Sequence, residues 1–300
     1  MATSHLIVGA TDSPAQPAVR TITFADLKDA LGRGIDDFRA MPSHALFLCV
    51  MYPLGGLVLA RLTFGYDVLP MLFPLIAGFA LIGPFAAVGL YELSRRREQG
   101  LDVSWRRAIE VYRSSSFGAI LALGLMLMAI FLVWLAVAQA IYVANFGYTP
   151  AASMPDFLHR ILTTPAGWSL IVVGNGVGFL FAVLVLTISV VSFPLLLDRD
   201  VGVAVAVLTS IRAVLANPAM MALWGLIVAA LLAIGSLPFF LGLTVVLPVL
   251  GHATWHLYRK IVVADTSPRA ELREPGVSSR SAADFPAALF PGSKKESADR

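Results

Sequence analysis

Two histidines, His252 and His256, stand four residues apart within Gly251-His252-Ala253-Thr254-Trp255-His256. In a helix that spacing puts both imidazoles on one face, a turn apart. At about 1.5 Å of rise per residue, His252 lies roughly 10 Å along such a helix from Arg259. His44 opens the first apolar run at a comparable depth, Cys49 lies about one turn deeper, and Glu92 closes the second run. Imidazoles at helical spacing suit a transition metal or a haem iron, and a nearby carboxylate orients a ring or relays protons. The candidate metal ligands are therefore His44, His252 and His256, with Glu92 as a supporting carboxylate. Haem or copper is the cofactor such a group would take. The leading reading, however, is that the histidines bond neighbouring helices, so that no cofactor is expected and haem or copper is the alternative, with Trp255 and Tyr258 forming an aromatic belt at a membrane interface.

Other residues able to do chemistry are sparse. Asn175, between Gly174 and Gly176, and Gln139 lie in apolar stretches, where they fit bonds across a helix interface or the wall of a path. Arg61 reads as reaching outward, toward Asp67. Asp156, His159 and Arg160 share a short segment and read as the surface of a helix. There is no Walker loop, HExxH pattern or zinc-type cysteine spacing. The single cysteine excludes an internal disulfide. No catalytic residue is assigned, and the expectation is a protein that is not an enzyme.

The elements that must position these residues are long and uncharged. No acidic or basic residue occurs from Ser114 to Met154, from Gly167 to Leu197 or from Ala213 to Tyr258. A membrane-spanning helix needs about 20 such residues, and a soluble core helix is rarely apolar for so long on every face. Hydrophobic residues make up 58% of the 300 and charged ones 14%, well below the roughly 25% of soluble domains. The chain reads as an all-α polytopic membrane protein with six spans, at about 45–63, 70–91, 117–142, 169–194, 219–236 and 238–258. The last two share one apolar run, and Gly235-Ser236-Leu237-Pro238 supplies the break.

Cations fix the orientation. Arg95, Arg96, Arg97, Arg106, Arg107 and Arg113 lie between spans two and three, and Arg20, Lys28, Arg33 and Arg39 precede span one. Arg199 and Arg212 fall between spans four and five, and Arg259 and Lys260 follow span six. The opposite face offers Arg61 and Arg160. Positive residues stay in the cytoplasm, so both termini are expected there and the span number is even. A net charge of +3 gives no reason to invoke nucleic acid. The expected partners are the bilayer, with its anionic cytoplasmic leaflet, and a membrane-protein complex.

The cytoplasmic segments carry helical periodicity. Phe24, Leu27, Leu31, Ile35 and Phe38 form one stripe, opened by Thr23 and Asp26 in the pattern of a capping box. Trp105, Ala108, Ile109 and Tyr112 form a second, and Val207, Leu208, Ile211, Val214 and Leu215 a third. Each leads into a pair of spans, at Met41-Pro42, Ser114-Ser115-Ser116 and Asn217-Pro218, and the second span of each pair holds a proline: Pro84, Pro194 and Pro248. The pattern reads as three copies of one unit, an interfacial amphipathic helix followed by a transmembrane hairpin, with Phe38-Arg39-Ala40 set against Ile211-Arg212-Ala213. The three units form one domain, 21–263. Residues 1–20 and 264–300, without periodicity, read as disordered tails.

Three passages carry a resemblance: LPVLGHATWHLYRKIVV, SIRAVLANPAMMALWGLIVAAL and VRTITFADLKDALGRGIDDFRAMP. Across about residues 20–263 they resemble an uncharacterised family of bacterial integral membrane proteins, a domain of unknown function. The resemblance implies six helices in the inner membrane of a Gram-negative bacterium and brings no activity with it. Some members carry the label of the catalytic subunit of cytochrome c oxidase. Such a subunit has more spans than this chain and more metal-binding histidines than the five here. The leading functional expectation is a structural or assembly component of the inner membrane. A small-solute transporter or channel, and a metal- or haem-handling accessory of respiratory oxidases, are the alternatives.

Overall fold

The computed structural model describes residues 17–41, 87–104, 111, 114–148, 154–237 and 241–263. Span one, span two up to residue 86, His44, Cys49, Arg61, the second stripe and residues 264–300 lie outside the described residues. The regular structure among the described residues is helical. In chain order the helices are α1 (Phe24–Ala40), α2 (Val88–Glu98), α3 (Phe117–Phe146), α4 (Met154–Thr163), α5 (Pro165–Ser189), α6 (Ser192–Asp198), α7 (Val203–Ala216), α8 (Pro218–Ser236) and α9 (Leu243–Ile261).

Local chemistry sets the helix ends. Thr23 and Asp26 close the expected capping box at α1: the Asp26 carboxylate accepts from Thr23 N at 2.9 Å, and Thr23 Oγ1 accepts from Asp26 N at 3.4 Å. Thr164 caps α5 by accepting from Gly167 N at 3.0 Å, with Pro165 as first helical residue. The α5–α6 break falls at Val190-Val191, because the Pro194 ring cannot donate to residue 190 and crowds its carbonyl. Ser210 of α7 repairs the break. Its hydroxyl donates to Thr187 O at 2.8 Å and accepts from Val191 N at 3.3 Å. Pro248 has no such effect, and α9 continues through it.

Among the described residues, three helices are long and apolar enough to cross a membrane: α3, the α5–α6 stretch Pro165–Asp198, and α8. They correspond to expected spans three, four and five. At 30 residues α3 is about 45 Å long, more than the roughly 30 Å hydrocarbon layer requires. Large apolar side chains such as Leu125, Phe179 and Leu226 point outward on these helices, as they do when lipid is the solvent. The expected break between spans five and six is present, since α8 ends at Ser236. A Cβ on Gly242 would lie 2.8 Å from Gly235 Cα, so that turn needs glycine. Helix α9 occupies the place of span six, but its second half is buried protein-side and ends in Arg259 and Lys260.

The two described amphipathic helices share one register. Both α1 and α7 stop immediately before a proline, at caps of nearly identical geometry: φ −134°, ψ 45° at Met41 and φ −133°, ψ 48° at Asn217. Counting back from the caps, buried Ala30, Gly34 and Asp37 match buried Ala206, Ser210 and Ala213. The register therefore sets Ala40 against Ala216, three residues from the alignment expected at Ala213. The faces against protein are made of small or polar residues, with Leu27 added in α1. Some large members of each stripe turn away, with Phe24 61% exposed and Leu215 72%, while Leu31, Val207 and Val214 lie partly buried against the core.

Helix α1 packs antiparallel along α9, the broadest helix contact among the described residues. Helix α7 packs on α5 and α6. Residues 17–20, placed in the N-terminal tail by sequence, lie beside the end of α9: Val19 bridges Val262, Arg20 N donates to Ile261 O at 2.7 Å, and Val263 N donates to Ala18 O at 3.0 Å. Asn217 joins this seam, accepting from Ile22 N at 2.7 Å and donating to Arg20 O at 3.0 Å. The segments expected to share the cationic face thus meet at one end of the bundle.

Candidate functional site

The candidate site lies at that cationic end, where α1, α2 and α9 converge. Two close approaches bring them together. A Cβ on Gly34 would lie 2.7 Å from Ala253 N, so α1 meets α9 backbone to backbone. A Cβ on Gly251 would lie 2.5 Å from Leu90 Cδ1, which fixes α2 on the next side of α9. His252 and His256 emerge between these contacts, on one face as their spacing requires. Both are buried, His252 completely.

Asp37 is the centre of the arrangement. His256 Nε2 lies 2.9 Å from its Oδ2, Ser94 Oγ lies 2.5 Å from the same oxygen, and Arg97 Nη1 pairs with Oδ1. His252 Nδ1 lies 2.7 Å from Ser94 Oγ and 4.0 Å from Asp37 Oδ2. These distances order the protons. An ionised carboxylate only accepts, so Ser94 and His256 Nε2–H both donate to it. Ser94, its one proton already committed, must accept from His252 Nδ1–H. The chain runs His252 to Ser94 to Asp37 to His256. Burial works against the Asp37 charge, but the bonds from His256 and Ser94, the field of His256 and the bond from Arg97 outweigh it. They hold this carboxyl below the ordinary aspartate range. His252 Nε2 is buried without a hydrogen-bond partner.

A second set of contacts braces the first. Glu92, fully buried, is held by Arg95, with Nε 2.8 Å from Oε2, and by Arg96, with Nη1 3.4 Å from Oε1. Arg95 Nη1 also donates to Leu197 O of α6 at 3.0 Å. Glu98 accepts from Trp255 Nε1 and from Arg259 Nε, each at 3.1 Å. Tyr258 donates to Asp198 Oδ2 at 2.8 Å. Trp255 and Tyr258 are both 1% exposed, so they are core residues with bonded tips and not the lipid-facing belt their spacing suggested.

Of the expected group, His252 and His256 come together, Glu92 is taken up by arginines, and His44 lies outside the described residues. Among the described residues no group of three or more His, Cys, Asp or Glu side chains is arranged to hold a metal ion. Asn175 bonds its own helix, donating to Ile171 O at 2.7 Å. Sequence reading missed Asp37, Ser94, Arg97 and Glu98. The available signal was Ala30 and Gly34, four apart on the face that Asp37 shares.

The chemistry of this site is proton-ordered hydrogen bonding between helices, with charges neutralised inside protein. No curated protein and no solved structure matches the chain. A family match covers α2 to α6, including Glu92, Ser94, Arg97 and Asp198, and leaves out Asp37 and the two histidines. It is shorter than the 20–263 over which resemblance was expected. Over residues 72–198 the chain matches the family described as predicted integral membrane protein (DUF2189), a membrane family of unknown function like the one its sequence resembles.

Proposed function

We propose that this chain is a structural or assembly component of a bacterial inner membrane, with six helices in three hairpins and both termini in the cytoplasm. One observation carries the reading: the polar groups fit for coordination or proton transfer are tied to each other across α1, α2 and α9. A transport path needs polar groups facing a cavity, and a metal centre needs free lone pairs. Here His252 Nδ1 and His256 Nε2 are engaged with Ser94 and Asp37, and the lone pair left on His252 Nε2 has no set of further ligands around it among the described residues. Such a junction sets the cytoplasmic ends of the helices into one rigid surface, rimmed by arginine and lysine, that fits anionic lipid headgroups and a partner complex.

Mild-detergent extraction and affinity purification of the full chain test this. The expected result is a partner at fixed stoichiometry that is lost when Asp37→Ala loosens the junction. Stoichiometric copper or haem that disappears in His252→Ala and His256→Ala overturns the proposal in favour of metal handling. Solute flux in proteoliposomes overturns it in favour of transport.

A further inference from the structure

At the end of the bundle opposite the cationic junction, α3, α4 and α5 enclose a groove of about 300 Å³ whose walls are almost wholly apolar. Its axis follows α3 from Trp134 through Ala138 to Tyr142, about 12 Å of helix rise. Phe157 and Ile161 of α4 form one wall, and Gly174 of α5 leaves the other bare. The walls are rigid. Trp134 is packed on Gly178, whose Cβ would stand 3.0 Å from its ring, and against Phe181 at 5.5 Å. Tyr142 stacks between Phe146 at 5.4 Å and Phe157 at 6.4 Å. A cation stands at the outer rim, where Arg160 lies over the Phe146 ring at 4.9 Å and beside Tyr142.

We infer that this groove binds one acyl chain of a phospholipid, with the phosphate against Arg160. The groove opens between helices that cross the bilayer, so hydrocarbon and not water is what reaches it. Rigid aromatic walls prevent its collapse, and a void there would forfeit dispersion contacts on every side. The cation sits at the end where α3 meets α4, the depth of a headgroup. The apolar walls run inward from it, the direction of an acyl chain. One lipid satisfies both features, its chain in the groove and its phosphate at the arginine held over Phe146. The consequence is a lipid held in place between spans, distinct from the exchanging lipids on the outer faces. This inference stands independently of the assembly reading.

The test uses the full chain in phosphatidylglycerol vesicles carrying a trace of phosphatidylglycerol with a diazirine on the acyl chain, irradiated and mapped by mass spectrometry. Label is expected on the groove segments of α3, α4 and α5 in excess of the exposed face of α8. A Cβ on Gly174 meets nothing within 4 Å, so Gly174→Phe fills the groove without disturbing the backbone, and the excess should vanish. Gly176 is equally open but does not line the groove, and Gly176→Phe should keep it. Arg160→Gln should weaken the excess. Label spread evenly over all exposed faces, or unchanged by Gly174→Phe, overturns the inference. Equal labelling by a diazirine fatty acid lacking phosphate overturns the assignment to a phospholipid.

Discussion

Asp37→Ala is the most informative single perturbation. The wild-type carboxylate accepts from Ser94, which is fully buried, from His256, which is nearly so, and from Arg97, whose side chain is 41% exposed. Hydrogen bonds to a buried charge are each worth about 1.5–3 kcal/mol, while the half-exposed arginine contributes under about 1 kcal/mol. Removing the carboxylate forfeits these and strands the Ser94 and His256 donors. Against that stands the relief of desolvating one charge, so the net loss should be about 3–4 kcal/mol. For a domain of this size that lowers the unfolding midpoint by on the order of 10 °C. Asp37→Asn, which keeps one acceptor oxygen, should lose about half as much. The pH dependence has a definite sign. The folded carboxyl is held below its ordinary value of 3.8, so its contribution is complete above 3.8 and is lost as pH falls through the folded value. Asp37→Ala should therefore flatten the acid limb of the stability profile. Thermal unfolding in mild detergent, followed by intrinsic fluorescence across pH, measures both effects. A double-mutant cycle with His256→Gln should show coupling of about 0.5–3 kcal/mol. If Asp37→Ala unfolds within about 0.5 kcal/mol of wild type, the junction holds nothing together and the reasoning fails.

Three other substitutions read separate parts of the fold. Gly34→Ala should cost about 1–3 kcal/mol by pushing α1 off Ala253, whereas Gly32→Ala, which meets nothing within 4 Å, should stabilise α1 by up to about 1 kcal/mol; paired thermal melts decide it. Asn217→Ala removes the two bonds to Arg20 and Ile22, about 2 kcal/mol of local closure, so trypsin should cut after Arg20 roughly thirtyfold faster. Ser210→Ala strands Val191 N and Thr187 O at the α5–α6 break and should lower stability by about 1–3 kcal/mol. Ser189→Ala, whose hydroxyl only returns to Val185 O, should cost about 0.5 kcal/mol or less in chemical unfolding.

Backbone features were legible where one residue type forces them. The Thr23–Asp26 cap and the break after Ser236 follow from local sterics and hydrogen bonding and stand where the residues put them, whereas span prolines, all expected to kink their helices, do so at Pro194 and not at Pro248. Which face of a helix meets protein was less legible. The stripes of α1 and α7 were read as the apolar faces of interfacial helices, which left open which residues meet protein. Beside lipid large apolar side chains gain little from burial, and close approach of small residues decides the packing. Ala30, Gly34, Ala206, Ser210 and Ala213 form the contact faces instead. The same reading hid Asp37, which looked like part of a solvated face. His252 and His256 were correctly paired by spacing, but their acceptor comes from 219 residues away in the case of His256. No local pattern encodes that partner. Trp255 and Tyr258 misled because an aromatic pair near a span end has the same spacing whether its polar tips reach water or the carboxylates of Glu98 and Asp198.

The antiparallel seam of α1 along α9 bears on how the protein is made. Among the described residues, the first helix to be translated takes as its main neighbour the last. At common elongation rates of roughly 5–20 residues per second, Asp37 waits about 10–40 s for His256 to appear. During that interval the Asp37 carboxylate and the contact face at Gly34 lack the α9 neighbour that covers them. A chain cut short before Gly251 never gains that neighbour and keeps Asp37 without its bond from His256.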